Sequence, residues 1–235
     1  MLTSRKRVTQ PWKHLMEITN MKDIVIYGAG GLGREVACLI ARINKVSPKW
    51  NFVGFFSDSE NEWGTENEYG KVLGGADLLN SWPTPVDVAI AIGSSKAIEK
   101  IHNKLYNENI DFPNIIDPTF EIIDEHNYEI GKGNIIQRHS SISINVKIGN
   151  FNIFNGSDAL GHDVIIGDHN VIMPAVRISG MVKIGNNNML GVGSIVIQQM
   201  TIGDHVSLGA GSVLMTKAKK EGVYIGVPAK LFKIN

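Results

Sequence analysis

The sequence predicts an amino-terminal α/β domain followed by a parallel β-helix of about five coils and a short carboxy-terminal extension. Two observations support this fold class. A strand, a glycine loop and a helix follow one another from Lys22, and an apolar residue stands at every sixth position from Ile130. With 235 residues, 43% of them hydrophobic, and no formal net charge, the chain can bury a core, and its composition excludes a disordered tail or a polybasic nucleic-acid clamp.

The composition also indicates a cellular compartment and excludes some classes of partner. Cys38 is the one cysteine, so no internal disulfide can form, which favours a reducing compartment. The apolar stretches are far shorter than the roughly 20 residues that a membrane helix needs. Residues 1–20 begin basic but lack the apolar run of a signal peptide, so we treat them as a peripheral extension. We expect a cytoplasmic protein with no membrane or nucleic-acid partner.

Residues 21–117 have the pattern of a half-Rossmann-like domain that binds a nucleotide or sugar. A strand over Lys22–Tyr27 leads into a loop with glycines at 28, 30, 31 and 33, and a helix follows from Arg34 to about Ile43. Glycines let the backbone approach a phosphate, which the free N–H groups of the helix start can hold. The segment has room for about four strands, which suits one nucleotide rather than a dinucleotide. A tight strand-to-helix turn without a ligand remains the alternative.

Two further strands of this domain end at residues that could contact the same ligand. A strand at 52–56 ends at Ser57 and Asp58, and a carboxylate at that place can take ribose hydroxyls. A strand at 86–92 ends at Gly93.

A six-residue period organises residues 118–216, ahead of a carboxy-terminal segment at 217–235. Its apolar positions are Ile130, Ile136, Ile142, Ile148, Phe154, Leu160, Ile166, Ile172, Ile178, Ile184, Leu190, Val196, Ile202, Leu208 and Leu214. A second period of 18 appears in Gly131, Gly149, Gly167, Gly185 and Gly203. Three six-residue strands therefore close each triangular coil, and five coils rise by about 24 Å. The glycine column predicts corners with positive φ, whereas the hand of the coil does not follow from the period.

Three segments carry a family resemblance. The repeat "LGHDVIIGDHNVIMPAVRISGMVKIGNNNMLGVGSIV", the closing "GVYIGVPAK" and the early "IVIYGAGGLGREV" resemble the hexapeptide-repeat acyltransferases. Within them, the chain is similar to the sugar O- and N-acetyltransferases that include sialic acid O-acetyltransferases and bacterial UDP-amino-sugar N-acetyltransferases. The resemblance covers Met21 to about Phe232. It implies a left-handed β-helix, a homotrimer, acetyl-CoA as donor and active sites between neighbouring prisms.

His162 is the candidate catalytic base. It stands two places after inward Leu160, near a corner, and Gly180 occupies the same phase one coil later, which leaves a slot for a thioester. A solvated corner histidine is the alternative on spacing alone. The resemblance implies that His162 is the general base of a direct acetyl transfer, that Asp163 raises its basicity, and that Asn155 is an active-site asparagine.

The resemblance also implies the ligand contacts. Acetyl-CoA would lie along the prism between subunits, and the positions that match its contacts are Gly180, Val192 and Ala210, with Val171 near the thioester. The positions that match acceptor contacts are Gly30, Gly31, Leu32, Ser57, Asp58 and Gly93. Several amino-sugar members of the family have histidine in place of Leu32 and aspartate in place of Ser57. The acceptor sugar and the choice between O- and N-acetylation therefore stay open.

Seven histidines raise the question of a metal. His169 and His205 share a phase but lie two coils apart, about 9.6 Å, which is too far for both to bind one zinc ion within a subunit. We expect no metal cofactor and assign packing or solvent roles to these two side chains. The predicted function is an acetyl-CoA-dependent acetyltransferase that acts on a sugar or nucleotide-linked amino sugar in surface polysaccharide or glycan synthesis. A non-catalytic scaffold that binds a nucleotide sugar is the alternative.

Overall fold

A computed structural model describes residues 21–219 and 221–232. The predicted extension at 1–20 and parts of the predicted segment at 217–235 lie outside the described residues. Within the described residues no helix is long and apolar enough to cross a membrane.

The α/β domain is one six-stranded sheet with helices. In chain order its elements are β1 (Lys22–Tyr27), α1 (Gly31–Val46), β2 (Trp50–Phe56), a 3₁₀ turn (Glu60–Glu62), β3 (Glu66–Asn67), β4 (Gly70–Gly74), α2 (Ala76–Asn80), β5 (Val86–Ile90), α3 (Ser95–Lys104) and β6 (Ile110–Asp111). The sheet order is β3-β4-β2-β1-β5-β6, and only β3 pairs antiparallel. The strands predicted near 22, 52 and 86 are all present, and α1 begins three residues before the predicted start.

The centre of this sheet is β1, which lies between β2 and β5. Ile24, Val25 and Ile26 have no exposed surface, because neighbouring elements cover both faces of a parallel sheet. Helix α1 buries Val36, Leu39 and Ile40, one stripe at helical spacing. This packing holds the glycine loop at the carboxyl end of β1.

The β-helix has three faces, each a parallel sheet. Face 1 contains β7 (Ile115–Ile116), β10 (Ile135–Ile136), β13 (Ile153–Phe154), β16 (Val171–Ile172), β19 (Met189–Leu190), β22 (Val206–Leu208) and β24 (Gly222–Gly226), with β25 (Ala229–Leu231) antiparallel at its end. Face 2 contains β8 (Glu121–Ile122), β11 (Ser141–Ile142), β14 (Ala159–Leu160), β17 (Arg177–Ile178), β20 (Ile195–Val196) and β23 (Val213–Leu214). Face 3 contains β9 (Tyr128–Ile130), β12 (Val146–Ile148), β15 (Ile165–Ile166), β18 (Lys183–Ile184) and β21 (Thr201–Ile202).

The predicted period sets the register of these faces. Ile153 pairs with Val171, and Val171 pairs with Met189, each 18 residues on. From Ile136 to Leu214 every sixth residue is buried, with at most 4% of its surface exposed. The stack of about five coils that the sequence predicted is therefore confirmed. Stacked coils bury one another's apolar residues, as repeat folds require.

The prediction that the glycine column adopts positive φ is wrong. Positive φ occurs instead at every sixth residue from Gly133 to Gly211, and most of these residues are not glycine. The column needs glycine for a different reason, which is that coils approach closely there. A Cβ on Gly149 would lie 2.6 Å from the carbonyl oxygen of Gly167 on the next coil.

Buried asparagines connect the coils at the corner between faces 3 and 1. Asn134, Asn152, Asn170 and Asn188 are fully buried. The backbone N–H of each of the last three donates to the side-chain oxygen one coil earlier, at 2.9 Å. This ladder satisfies buried backbone groups that the corners leave outside the strands.

The outer side of face 1 packs against the α/β domain. Ile115, Ile135, Ile153 and Val171 belong to the same apolar cluster as the core of that domain. Beside them, the guanidinium of Arg42 in α1 donates two hydrogen bonds to the carboxylate of Asp117, at 2.9 and 3.2 Å. Face 1 is therefore covered within one chain as far as Val171. Met189, further along face 1, stays exposed, as do apolar side chains of faces 2 and 3 such as Ile165 and Ile195.

Asp158 is a carboxyl group inside the prism. It is 1% exposed, and its two oxygens accept the backbone N–H groups of Val176 and Gly156 at 3.0 and 3.1 Å. Burial raises its pKa from 3.8 to about 7, in spite of these two hydrogen bonds. The core therefore holds a group that changes charge near neutral pH.

Because successive coils approach closely at the glycine column, adding one methyl group there should lower stability. Gly167→Ala should destabilise the chain by about 1–3 kcal/mol, because its Cβ would lie 2.8 Å from the carbonyl oxygen of Gly185. Gly93→Ala is the control, since nothing lies within 4 Å of a Cβ there. Denaturant unfolding of both variants measures the difference. Equal stability of Gly167→Ala and wild type would contradict this account of the column.

Asp158 predicts a pH dependence of stability. Above pH 3.8 the unfolded chain ionises this carboxyl, whereas the folded chain keeps it protonated until about pH 7, so its contribution falls as pH rises through that window. The stability of wild type relative to Asp158→Asn should shrink from pH 4 to pH 7.5 in denaturant unfolding. Asp111→Asn, at an exposed carboxylate, should show no such trend. A constant difference between wild type and Asp158→Asn would contradict the raised pKa.

Candidate active site

His162 and Asp163 form a pair on the edge between faces 2 and 3. Asp163 has a φ of +59°, the corner conformation that recurs along the prism. Its Oδ2 lies 2.7 Å from Nδ1 of His162, and its Oδ1 accepts a hydrogen bond from Nδ2 of Asn145 at 2.6 Å. These two hydrogen bonds, first that with His162 and then that from Asn145, lower the pKa of Asp163.

The pair fixes the tautomer of the imidazole. An ionised carboxylate only accepts hydrogen bonds, so Nδ1 of His162 carries the proton and Nε2 keeps a lone pair. The side chains of His162 and Asp163 are 42% and 40% exposed, so the pair is accessible to solvent. This arrangement suits a general base whose orientation is held by a carboxylate.

Gly180 lies directly against the imidazole, as the predicted 18-residue stacking requires. A Cβ at Gly180 would come within 2.6 Å of Cε1 of His162, so any side chain there would displace the ring. The backbone N–H of Gly180 donates no hydrogen bond within the described residues. The edge therefore offers a base and a backbone donor side by side.

Asn155 lies on a different edge, between faces 1 and 2. Its Oδ1 accepts a hydrogen bond from Nε2 of Gln137 at 2.9 Å, and its Nδ2 lies 3.8 Å from the sulfur of Met173. It lines a cleft of about 480 Å³ between that edge and helix α1. A six-residue side of the prism spans about 20 Å when extended. Face 2 therefore separates Asn155 from His162 within one chain.

The predicted acetyl-CoA residues divide between the same two edges. Gly180 accompanies His162, whereas Val192 and Ala210 are exposed on the edge that carries Asn155. Val171 is 1% exposed on face 1, and its backbone N–H donates to the carbonyl of Asn188 at 2.9 Å. Its side chain is enclosed by the domain junction.

Three of the six predicted acceptor residues line a pocket in the α/β domain. This pocket, of about 400 Å³, lies at the carboxyl ends of β1 and β2 and includes Gly30, Ser57 and Asp58 in its lining. Gly31 and Gly93 are outside that lining, although nothing lies within 4 Å of a Cβ built on either. Leu32 packs, partly buried, against the apolar core.

Asp58 is held in place within this pocket. Its Oδ1 accepts hydrogen bonds from the hydroxyl of Tyr27 at 2.7 Å and from Nζ of Lys104 at 2.8 Å. Partial burial opposes ionisation, but these hydrogen bonds outweigh it and lower the pKa of Asp58. Its second oxygen has no hydrogen-bond donor within the described residues, so it can accept from a ligand hydroxyl.

Several residues at these sites were not predicted. Lys100 and Glu62 line the pocket in the α/β domain, and Glu62 accepts a hydrogen bond from Ser57 at 2.6 Å. Lys100 could have been found from its place on the helix after the third predicted strand. Gln137 and Glu35 contact each other beside Asn155, but they are 102 residues apart and no local pattern joins them. The part of the chain that is described contains no group of three or more His, Cys, Asp or Glu placed to hold a metal ion.

Comparison with known proteins identifies both parts of the chain. Residues 23–105 match the family model of the PglD N-terminal domain. The search of curated proteins finds no match. The structure is similar to the acetyltransferase domain of PglB from Neisseria gonorrhoeae FA1090, solved with acetyl coenzyme A. That match has 26% identity and a TM-score of 0.80, and it covers 90% of this chain and all of that one.

Two further solved structures are similar to this chain over most of its length. WeeI from Acinetobacter baumannii AYE has 25% identity and a TM-score of 0.79, with 90% of this chain and 100% of that one covered. A mutant of perosamine N-acetyltransferase from Caulobacter crescentus, in complex with CoA and GDP-perosamine, has 23% identity and a TM-score of 0.81, with coverages of 90% and 97%. The fold class that the sequence predicted, an α/β domain followed by a left-handed β-helix, is therefore confirmed, and so is the predicted enzyme class, an acetyltransferase; over 90% of its length the chain is similar to sugar acetyltransferases.

Proposed function

We propose that this protein transfers the acetyl group of acetyl-CoA to a nucleotide-linked amino sugar, in the synthesis of a surface polysaccharide or glycan. The observation that carries the proposal is the His162 imidazole, whose Nδ1 is held by Asp163 at 2.7 Å while its ring lies against Gly180. The complexes of similar proteins with acetyl coenzyme A and with GDP-perosamine support the choice of donor and acceptor class.

The reaction needs one proton acceptor and no covalent enzyme intermediate. Nε2 of His162 takes a proton as the acceptor nitrogen attacks the thioester carbon, and the N–H of Gly180 stabilises the oxyanion that forms. The C–S bond then breaks, and the departing thiolate takes the proton from His162. Asp163 stabilises the imidazolium through Nδ1. General base catalysis of this kind contributes about 10²–10⁴-fold.

The α/β domain would hold the nucleotide. The N–H groups at the start of α1, beside Gly30 and Gly31, suit the diphosphate, and the unpaired oxygen of Asp58 suits ribose hydroxyls. Ser57, Leu32 and Gly93 are proposed to border the same ligand. Acetyl-CoA would run between neighbouring prisms, past Gly180 of one copy and past Val192 and Ala210 of another. Val171, which is enclosed at the domain junction, would not contact it.

The separation of the predicted residues favours an active site shared between copies. One acceptor atom cannot touch both Asn155 and His162 across face 2 of a single prism, whereas two edges of neighbouring prisms can meet. Exposed apolar side chains lie on and beside faces 2 and 3, namely Ile144, Ile165, Met181, Val192 and Ile195. Burying them between copies would stabilise an oligomer. We propose a homotrimer, with Asn155 of one copy beside His162 of another.

The base assignment predicts a loss of turnover without a loss of structure. In His162→Ala, kcat should fall at least about 10²-fold, while molecular mass, melting temperature and acetyl-CoA affinity stay at wild-type values. Asp163→Asn should cost less, because asparagine tolerates the positive φ and the base remains. Steady-state kinetics with acetyl-CoA and amino-sugar nucleotides measures both.

His205→Ala is the control, because His205 is an exposed histidine at a corner of the β-helix outside the proposed site, although its φ of +58° is left-handed and that of His162 is not. His169 is a poorer control, since it stacks on Phe151 and lies 3.4 Å from His102. Near wild-type turnover by His162→Ala would remove the mechanism. If acetyl-CoA also failed to raise the melting temperature of the wild type, the non-catalytic scaffold would be the better account.

The shared site predicts complementation between inactive chains. His162→Ala and Asn155→Ala homotrimers should each be impaired, and refolding them together should restore part of the activity, because some sites then receive both native residues. Light scattering should give three times the chain mass at micromolar concentrations. A single-chain mass, or no recovery after mixing, would contradict the shared site.

A further inference from the structure

One exposed stripe of helix α1 leads from the nucleotide pocket to the cleft at the Asn155 edge. Gly31, Glu35, Cys38 and Arg42 follow one another at intervals of four, three and four residues, which places them on one side of the helix. Glu35, Cys38 and Arg42 line the cleft. Glu35 lies about 6 Å along the axis from Gly31, one turn beyond the proposed diphosphate position.

Gln137 joins this stripe to the β-helix. Its Nε2 donates to Oε2 of Glu35 at 3.1 Å and to Oδ1 of Asn155 at 2.9 Å. Because Oδ1 of Asn155 is occupied, its amide presents Nδ2 as a donor. The two domains therefore place a carboxylate and an amide donor side by side.

Of the charged side chains that line the cleft, some form ion pairs within the described residues and others do not. Arg42 is bound through two hydrogen bonds to Asp117, so its charge is satisfied within the cleft. Glu35 forms no ion pair among the described residues, and the lining also includes Arg138. A carboxylate at that place repels a phosphate but accepts hydrogen bonds from O–H and N–H groups. A sugar ring carries many such donors, and the cleft volume of about 480 Å³ accommodates one.

We propose that Glu35, positioned by Gln137 beside Asn155, recognises the sugar ring of the nucleotide-linked acceptor. The proposal rests on the proposed function and adds the residues that select its sugar. The diphosphate stays at the start of α1, and the ring lies one helical turn further, over Glu35. Glu35 determines specificity, and Gln137 acts by orienting Glu35 and Asn155.

The experiment compares a nucleotide with and without its sugar. Calorimetry measures the binding of GDP, UDP, GDP-perosamine and a UDP-4-amino sugar to the wild type and to Glu35→Ala. Glu35→Ala should weaken the tighter-binding nucleotide sugar at least about tenfold and leave the parent diphosphate within about twofold. Glu35→Gln should restore most of the affinity, because its amide oxygen still accepts from the sugar. Gln137→Ala should raise KM for the nucleotide sugar and leave acetyl-CoA affinity unchanged.

Two further variants serve as controls. Glu108→Ala, at an exposed glutamate far from the cleft lining, should bind every ligand as the wild type does. Gly31→Leu should weaken the diphosphate and the nucleotide sugar together. Equal losses for diphosphate and nucleotide sugar in Glu35→Ala, or no loss at all, would overturn the assignment of Glu35 and leave the proposed function intact. If the wild type bound no nucleotide sugar and transferred no acetyl group, the proposed function would fail, and this assignment with it.

Discussion

The stacking of one coil on the next at 18 residues is the constraint on which the rest of the structure depends. It brings glycines of successive coils into backbone contact, aligns the buried asparagines, and sets Gly180 against the ring of His162. A shift of one residue in any coil would turn its inward side chains outward. The geometry of the proposed catalytic residues therefore follows from the register that holds the core, and no separate loop is needed to position them.

The period in the sequence was sufficient to predict this register, because burial of every sixth side chain and the 18-residue repeat leave few alternatives. It was not sufficient to predict the corner conformation. Positive φ falls on Phe151, Met181 and Gln199 as well as on Asn145 and Asp163. Of these five, only Asn145 and Asp163 are residue types that favour the left-handed region locally. The geometry of the coil therefore overrides the local preference of the other three. The glycine column is required by the close contacts between coils and not by the corner conformation.

Contacts between the two domains could not be predicted from the sequence, for another reason. His169 was expected to have a packing or solvent role, and it stacks on Phe151 one coil earlier. Its approach to His102, in contrast, depends on where α3 lies against the prism. Glu35 and Gln137 likewise meet only because face 1 is covered by the α/β domain. Pairs separated by 67 and 102 residues leave no periodic trace in one sequence. A motif in the sequence was therefore enough to propose candidate site residues, whereas contacts that depend on the packing of the two domains could not be predicted.

Docking of the two domains also determines how selectivity and chemistry are divided. The apolar side of face 1 and the Arg42–Asp117 ion pair fix helix α1 against the prism. In the proposed function, a nucleotide sugar held at the glycine loop extends along α1, so a change of side chain on that helix would alter the contacts of the sugar. His162, Asp163 and Gly180 lie on another edge and are held by the coil register instead. Because different interactions support the two sets of residues, the proposed function allows acceptor choice to change by substitution on α1 without disturbing the geometry of the proposed base.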